Sequence, residues 1–341
     1  MAKKTNNSGG VAGFNFQDMA ALYLFLDNVD EVQSFEVEGK EDVVLTWNDG
    51  TNSFIQAKET QNPYDTFNKK YVIDALRVLS QDVVDYGLEN IKSEVLLTNS
   101  NYLFGKRAGQ EFANAPHRKY SSSSLPPRML KKLEEFNRTL DHSEIDFAKL
   151  KVMKIEYSGD DDETKLSELE KKVRKFMDTA HINLSKYDSL LKSMLFLVYR
   201  SAEDSKKSIS KKDFASYTAA TLLIGTSQIE RFLTLFNIDF ENEDYIRSQY
   251  SEFLSPKAFD FSVTSKVNML LFDYGKQNHG LSRDDKARDF VNKNYEKICA
   301  PLGIDIENDV RNKDVAKFIL WLIVTNNSDF SNIKEALNYE D

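Results

Sequence analysis

Cysteine occurs once in 341 residues, at Cys299, so no disulfide can form within the chain. A cysteine-rich structural zinc site is excluded for the same reason, and a lone thiol suits a reducing compartment such as the cytoplasm. Histidine is scarce too. His117, His142, His181 and His279 show neither metal-ligand spacing nor a nucleophile partner, and read as structural or solvent-exposed residues. No basic and apolar leader opens the chain, so secretion is not expected. The most apolar run, "FILWLIV" at 318–324, falls far short of the ~20 residues that span a bilayer. A surplus of positive charge is also lacking. The net charge is −9, which argues against nucleic acid until its distribution is considered.

That distribution is uneven. Residues 101–132, "NYLFGKRAGQEFANAPHRKYSSSSLPPRMLKK", carry Lys106, Arg107, Arg118, Lys119, Arg128, Lys131 and Lys132 against Glu111 alone. The segment is +6 inside a chain that is otherwise −15. Its glycines, prolines and serine run read as mostly loop, either a solvated insertion or a phosphate-gripping surface. The glycines of "SGGVAG" near the start match no phosphate-binding fingerprint, because no strand precedes them.

Hydrophobic periodicity supplies the framework. "FNFQDMAALYLFL" (14–26) reads as a helix apolar around most of its circumference, which leaves Gln17 in need of a polar partner. Strands are expected at 32–38, 41–47, 53–59, 93–99 and 151–158, and helices at 68–84 and 127–136. From "SGDDDET" onward everything reads as helices, at 186–200, 212–236, 243–253, 264–275, 284–298 and 313–325, without a repeat period. The division is an α/β (α+β) mixed sheet flanked by helices over 1–158, followed by an all-α region over 159–341. The apolar helix at 315–324 is a candidate for partner contact or for core packing.

One hairpin carries the chemistry. In "EGKEDVVLTWNDGTNSFIQAKE" (38–59), Asp49-Gly50 marks a tight turn. Gln56 and Lys58 are two apart on the second strand and project from one face. Asp42 is on the first. Phosphodiester hydrolysis needs an activated water and neutralised phosphate charge, which a divalent cation on oxygen ligands supplies. Mg²⁺ asks for only one or two carboxylates and keeps several waters. Asp42 with the amide oxygen of Gln56 offers such ligands, with Lys58 beside them. A plain surface ion pair between Asp42 and Lys58 is the alternative.

The order helix–strand–strand with acid–strand with Q-x-K–helix–strand resembles the PD-(D/E)XK nuclease superfamily, in the branch where glutamine replaces the second acid. More narrowly, "GGVAGFNFQDMAALYLFL", "EGKEDVVL", "FIQAKE" and "VLLTN" resemble the double-stranded DNA endonuclease domain of bacterial anti-phage effectors, found in CBASS effectors and in Lamassu nuclease subunits. The resemblance covers about residues 9–158. It implies a restriction-endonuclease-like fold and a cytoplasmic endonuclease using Mg²⁺ or Mn²⁺. Asp42 would be the principal metal ligand, Gln56 the second and Lys58 the catalytic lysine. Glu38 would assist the metal, and Gln17 would match the polar residue on the first helix. Glu41 ranks lower, because a regular strand points it away from Asp42. The helical region lacks resemblance to the cyclic-nucleotide sensor that accompanies this nuclease in CBASS. That favours a Lamassu-like subunit, held by SMC-like and small accessory partners and active as a homo-oligomer, with no membrane contact. A non-enzymatic assembly or DNA-tethering subunit, or a nuclease acting on RNA or DNA ends, are the rival readings.

Overall fold

The computed structural model describes residues 15–39, 41–66, 69–113, 117–158, 161–203, 208–223, 226–253, 261–277 and 280–339. The "SGGVAG" glycines and Lys40 lie outside the described residues. Two compact units form, one from residues 1–175 with 195–210 and the other from 176–194 with 211–341.

The first unit is built on a seven-stranded open mixed sheet. Helix α1 (Phe16–Asp27) starts at a capping box: Asn15 accepts from the Asp18 amide, and Asp18 accepts from the Asn15 amide. Strands β1 (Val32–Val37), β2 (Val43–Trp47) and β3 (Asn52–Lys58) form an antiparallel meander. Gly50 turns its second hairpin at φ 81°, a conformation costly for other residues. Helix α2 (Lys69–Tyr86) then crosses over to β4 (Ile91–Thr98), which runs parallel to β3. A short helix α3 (Gln110–Ala113), strand β5 (His117–Ser121), helix α4 (Pro127–Asn137) and strand β6 (Leu150–Ile155) follow. The two-residue β7 (Ile209–Ser210) completes the order β5-β6-β4-β3-β2-β1-β7.

Alternation along the strands sorts the side chains into two layers. Phe54, Leu96 and Val152 share a core with Val72, Ala75, Leu76 and Leu79 of α2 and with Met129, Leu133 and Phe136 of α4. On the other face α1 packs on β1, β2 and β3, with the Phe25 and Phe35 rings 4.8 Å apart. Because α1 is apolar on nearly all sides, its residues 18–26 are all buried.

Two expectations are corrected. Residues 101–132 are not mostly loop: β5 pairs antiparallel with β6 as an edge strand, and α3 and the start of α4 flank it. Only a register partner made five polar and aromatic residues, "HRKYS", into a strand. Likewise β7 lies in the stretch read as purely helical. Of the two readings of the apolar helix, core packing is the one observed: Asn312–Thr325 buries Val315, Ala316 and every residue from Phe318 to Ile323 within the second unit. Its Phe318 ring lies 5.1 Å from Phe232 and 5.2 Å from Tyr250. The remaining helices of this unit fall close to the predicted spans, with Asn327–Ala336 as an additional one. No helix among the described residues is long and apolar enough to cross a membrane.

Candidate active site

Strand β3 ends where β2 begins, and that junction gathers the polar groups. The β2–β3 ladder starts at Val43 opposite Ile55, so Asp42 lies just before the strand. Freed from the ladder, its Oδ2 accepts a hydrogen bond from the Ala57 amide at 2.8 Å and meets Lys58 Nζ at 3.2 Å. The two side chains are 20% and 25% exposed, enough for a phosphate or a hydrated ion to reach them. Gln56, two residues earlier on the face that Phe54 and Lys58 share, is buried. Its Nε2 donates to Glu41 Oε2, so the other end of the amide is an acceptor.

Glu41 is therefore inside the site, contrary to the expectation from strand alternation. Alternation does not reach residue 41, because the regular strand starts two residues later. Asp82, which no motif indicated, reaches Glu41 from α2. Burial is the main cause raising the Glu41 carboxyl above its ordinary range, and the hydrogen bonds from Asp82 and Gln56 oppose it. Asp82 is pushed up to about 9, first by burial and then by the Glu41 charge. A signal for Asp82 did exist: it stands three residues after Leu79, on the apolar stripe of α2.

Two predicted site residues, the ligand Glu38 and the helix residue Gln17, lie elsewhere. Glu38 sits at φ 52° and turns its carboxyl to Asn15 Nδ2, 3.5 Å away at the start of α1, rather than to the Asp42–Lys58 pair. There its charge adds to burial in raising Asp18 to about 6. Gln17 is half-buried in the first turn of α1 and makes no hydrogen bond with Asp42, Gln56 or Lys58 among the described residues. The basic positions separate as well. Lys106 and Arg107 are exposed in the turn after β4, while Arg118 and Lys119 are exposed on β5. Arg128 and Lys131 are exposed on α4, where Lys132 binds Glu135 at 2.6 Å.

Next to Lys58 the strand ends are fastened together. Asn99, directly after β4, accepts from the Thr60 amide and hydroxyl at 2.8 and 3.1 Å, and donates to the carbonyls of Thr60 and Tyr157 at 2.9 Å each. Thr60 follows β3 and Tyr157 follows β6, so one buried amide ties three parallel strands. Asn99→Ala is expected to cost about 2–3 kcal/mol, because several buried groups lose their partners together. Urea unfolding measures this, and a loss under ~1 kcal/mol would contradict the clamp.

The donors present suit a hydrated Mg²⁺ rather than an ion caged by protein. No group of three or more His, Cys, Asp or Glu among the described residues is placed to hold a metal. One accessible carboxylate and one amide oxygen with waters meet the modest demand of Mg²⁺. The ammonium of Lys58 against Asp42 marks where positive charge is favoured.

No protein-family model matches the chain. No curated protein matches it either. Among solved structures, it is similar to the Acinetobacter baumannii Cap4 SAVED/CARF-domain-containing receptor with the cyclic trinucleotide 2'3'3'-cAAA, at 15% identity and a TM-score of 0.39. The match covers 65% of this chain and 46% of the receptor. A second structure of the receptor matches at 14% identity and a TM-score of 0.38, over 65% and 48% of the two chains. This chain thus spans less than half the length of those receptors.

Proposed function

We propose that this chain is a metal-dependent endonuclease of double-stranded DNA, with Asp42, Gln56 and Lys58 at its centre. The observation that carries the reading is the meeting of Lys58 Nζ and the Ala57 amide at one oxygen of Asp42, while the preceding residue, Glu41, accepts from the Gln56 amide. The helix–three-strand–helix–parallel-strand order of α1 to β4 supports it, since the PD-(D/E)XK resemblance implies that order. Asp42 and Gln56 would hold a Mg²⁺ or Mn²⁺ ion, which supplies Lewis-acid charge at the phosphate and an activated water. Lys58 places an ammonium at the non-bridging phosphate oxygens, where negative charge builds as the bond breaks. Glu41 holds the nitrogen of Gln56 and so fixes which amide atom faces the ion. Ala57 fixes Asp42 through its amide, so the carboxylate is oriented before any ligand arrives.

The sequence resemblance extends the reading to an effector of bacterial anti-phage defence. A Lamassu-like arrangement, with release from partners followed by oligomerisation, is the form proposed. The decisive experiment is plasmid cutting by purified protein with Mg²⁺, with Mn²⁺ and with EDTA, alongside Asp42→Ala. Cutting that needs metal and disappears in Asp42→Ala is expected. RNA and linear DNA in parallel tubes test the choice of substrate. A non-enzymatic tethering subunit is the second reading, favoured by the direct neutralisation of Asp42 by Lys58. Intact plasmid with every metal, both as monomer and as forced oligomer, decides for it.

A further inference from the structure

The basic residues of the 101–132 segment do not form one surface, and strand register separates them. Lys58 pairs with Thr98, Thr98 with Lys154, and Lys154 with Arg118. These four therefore stand in one row across four neighbouring strands, on the face that Gln56 and Lys58 share. At about 4.8 Å per strand, Arg118 lies about 14 Å from Lys58 along the row. Lys154, between them, is buried and donates to Asn101 Oδ1 and to the Phe112 carbonyl. It anchors the turn after β4, whose exposed cations are Lys106 and Arg107.

That turn is joined to the loop leaving β3. The Asn101 amide donates to the Pro63 carbonyl at 2.7 Å, and the neighbouring Tyr64 is 64% exposed. Two acids of the loop are exposed, and both have partners: Asp65 accepts from Asn62, and Glu59 faces the charge of Lys165. Lys106, Arg107 and Arg118 are thus exposed cations at the ends of β4 and β6, with the exposed ring of Tyr64 beside them, and Lys69 and Lys70 are exposed at the start of α2, where the loop leaving β3 ends. Lys119 alternates to the opposite face of the edge strand. The α4 cations begin at the other end of the sheet, because Ser121, which precedes α4, pairs with Lys151 at the start of β6. They are followed on the same helix by Glu134 and Glu135, the second of which pairs with Lys132.

We propose that this rim is the track for the phosphate backbone of double-stranded DNA. Lys106, Arg107 and Arg118 contact phosphates on one side of the bond at Lys58, and α4 takes no part. The roughly 14 Å between Lys58 and Arg118 corresponds to about four nucleotides at about 3.4 Å per step of one strand. A rim in which exposed cations outnumber exposed rings favours phosphate contacts over the successive base stacking that single strands require. The inference rests on the nuclease reading only for the position of the scissile bond.

The test is fluorescence anisotropy of a labelled duplex of about 30 base pairs with the full chain in EDTA, across a salt series. Lys106→Gln/Arg118→Gln is expected to bind about 10-fold or more weakly and to lower the salt slope by about 2, since each lost phosphate contact contributes about 0.9. Arg128→Gln/Lys131→Gln is expected to leave the slope unchanged, and thermal melts establish that both variants fold. The rim is overturned if the α4 pair loses as much slope as the rim pair or the rim pair keeps the wild-type slope. It is equally overturned if single-stranded DNA or RNA of the same length binds as tightly as the duplex. Duplex bound along the rim but never cut would instead retain the track and remove the nuclease.

Discussion

Lys58→Ala is expected to slow DNA cutting about 10²–10³-fold, the cost of removing one preorganised charge from a developing phosphate anion. Stability should change little. The Asp42–Lys58 pair is partly exposed, and such pairs contribute at most about 1 kcal/mol. Asp42 also retains the Ala57 amide, so its carboxylate stays oriented. The loss should appear in kcat, while the Mg²⁺ concentration for half-maximal rate stays the same or falls, because a competing ammonium has left Asp42. Gln56→Ala should do the opposite and raise the Mg²⁺ requirement. Lys58→Arg is not expected to rescue, since a planar fork replaces a compact point charge. Metal titrations of cutting rate for the three variants check this. Wild-type rates in Lys58→Ala would remove the lysine from the chemistry and return the pair to an ordinary ion pair.

The second large effect is on stability. Glu94 on β4 is fully buried and neither carboxyl oxygen has a well-aligned hydrogen-bond partner. Burial pushes its pKa from the ordinary 4.5 to about 8, and the Asp146 charge adds to this. The sign follows from proton linkage. Between pH 4.5 and about 8 the unfolded chain has released this proton while the folded chain retains it, so stability falls as pH rises through that window. Above it the folded form ionises too, and the penalty levels off. Glu94→Gln keeps the shape without the charge. It is expected to stabilise the protein at pH 8 by on the order of 2 kcal/mol, with the gain shrinking towards pH 5. Asp82, raised to about 9, contributes a slope of the same sign that this variant leaves in place. Urea unfolding at pH 5 and pH 8 is the measurement. An equal difference at both pH values would mean that packing, not charge, separates the variants.

Much of the site is legible in the amino-acid order alone. The Asp49-Gly50 turn sets the hairpin, and a period of two puts Gln56 and Lys58 on one face. With that turn and those spacings, Asp42 had to approach the end of β3, and it does. Glu38 turns to Asn15 and Glu41 enters the site because both lie outside the regular strands, where a positive φ at Glu38 and the late start of β2 decide direction. Periodicity is silent there. The acid on α2 was visible as an interruption of an apolar stripe, but a stripe does not say which strand residue it will meet.

Local composition determined the helix and strand types, the hairpin, the charge asymmetry of 101–132 and the spacing of the Q-x-K triplet, since each depends on neighbours within a few residues. Tertiary structure alone decided that Glu41 and Asp82 meet at Gln56. It also decided that "HRKYS" is an edge strand and that Arg118, but not Lys119, stands in the row of Lys58. The physical reason is register. Parallel pairing of β3 with β4, and of β4 with β6, joins residues that are far apart along the chain, and no pattern confined to one segment encodes which of them will face each other.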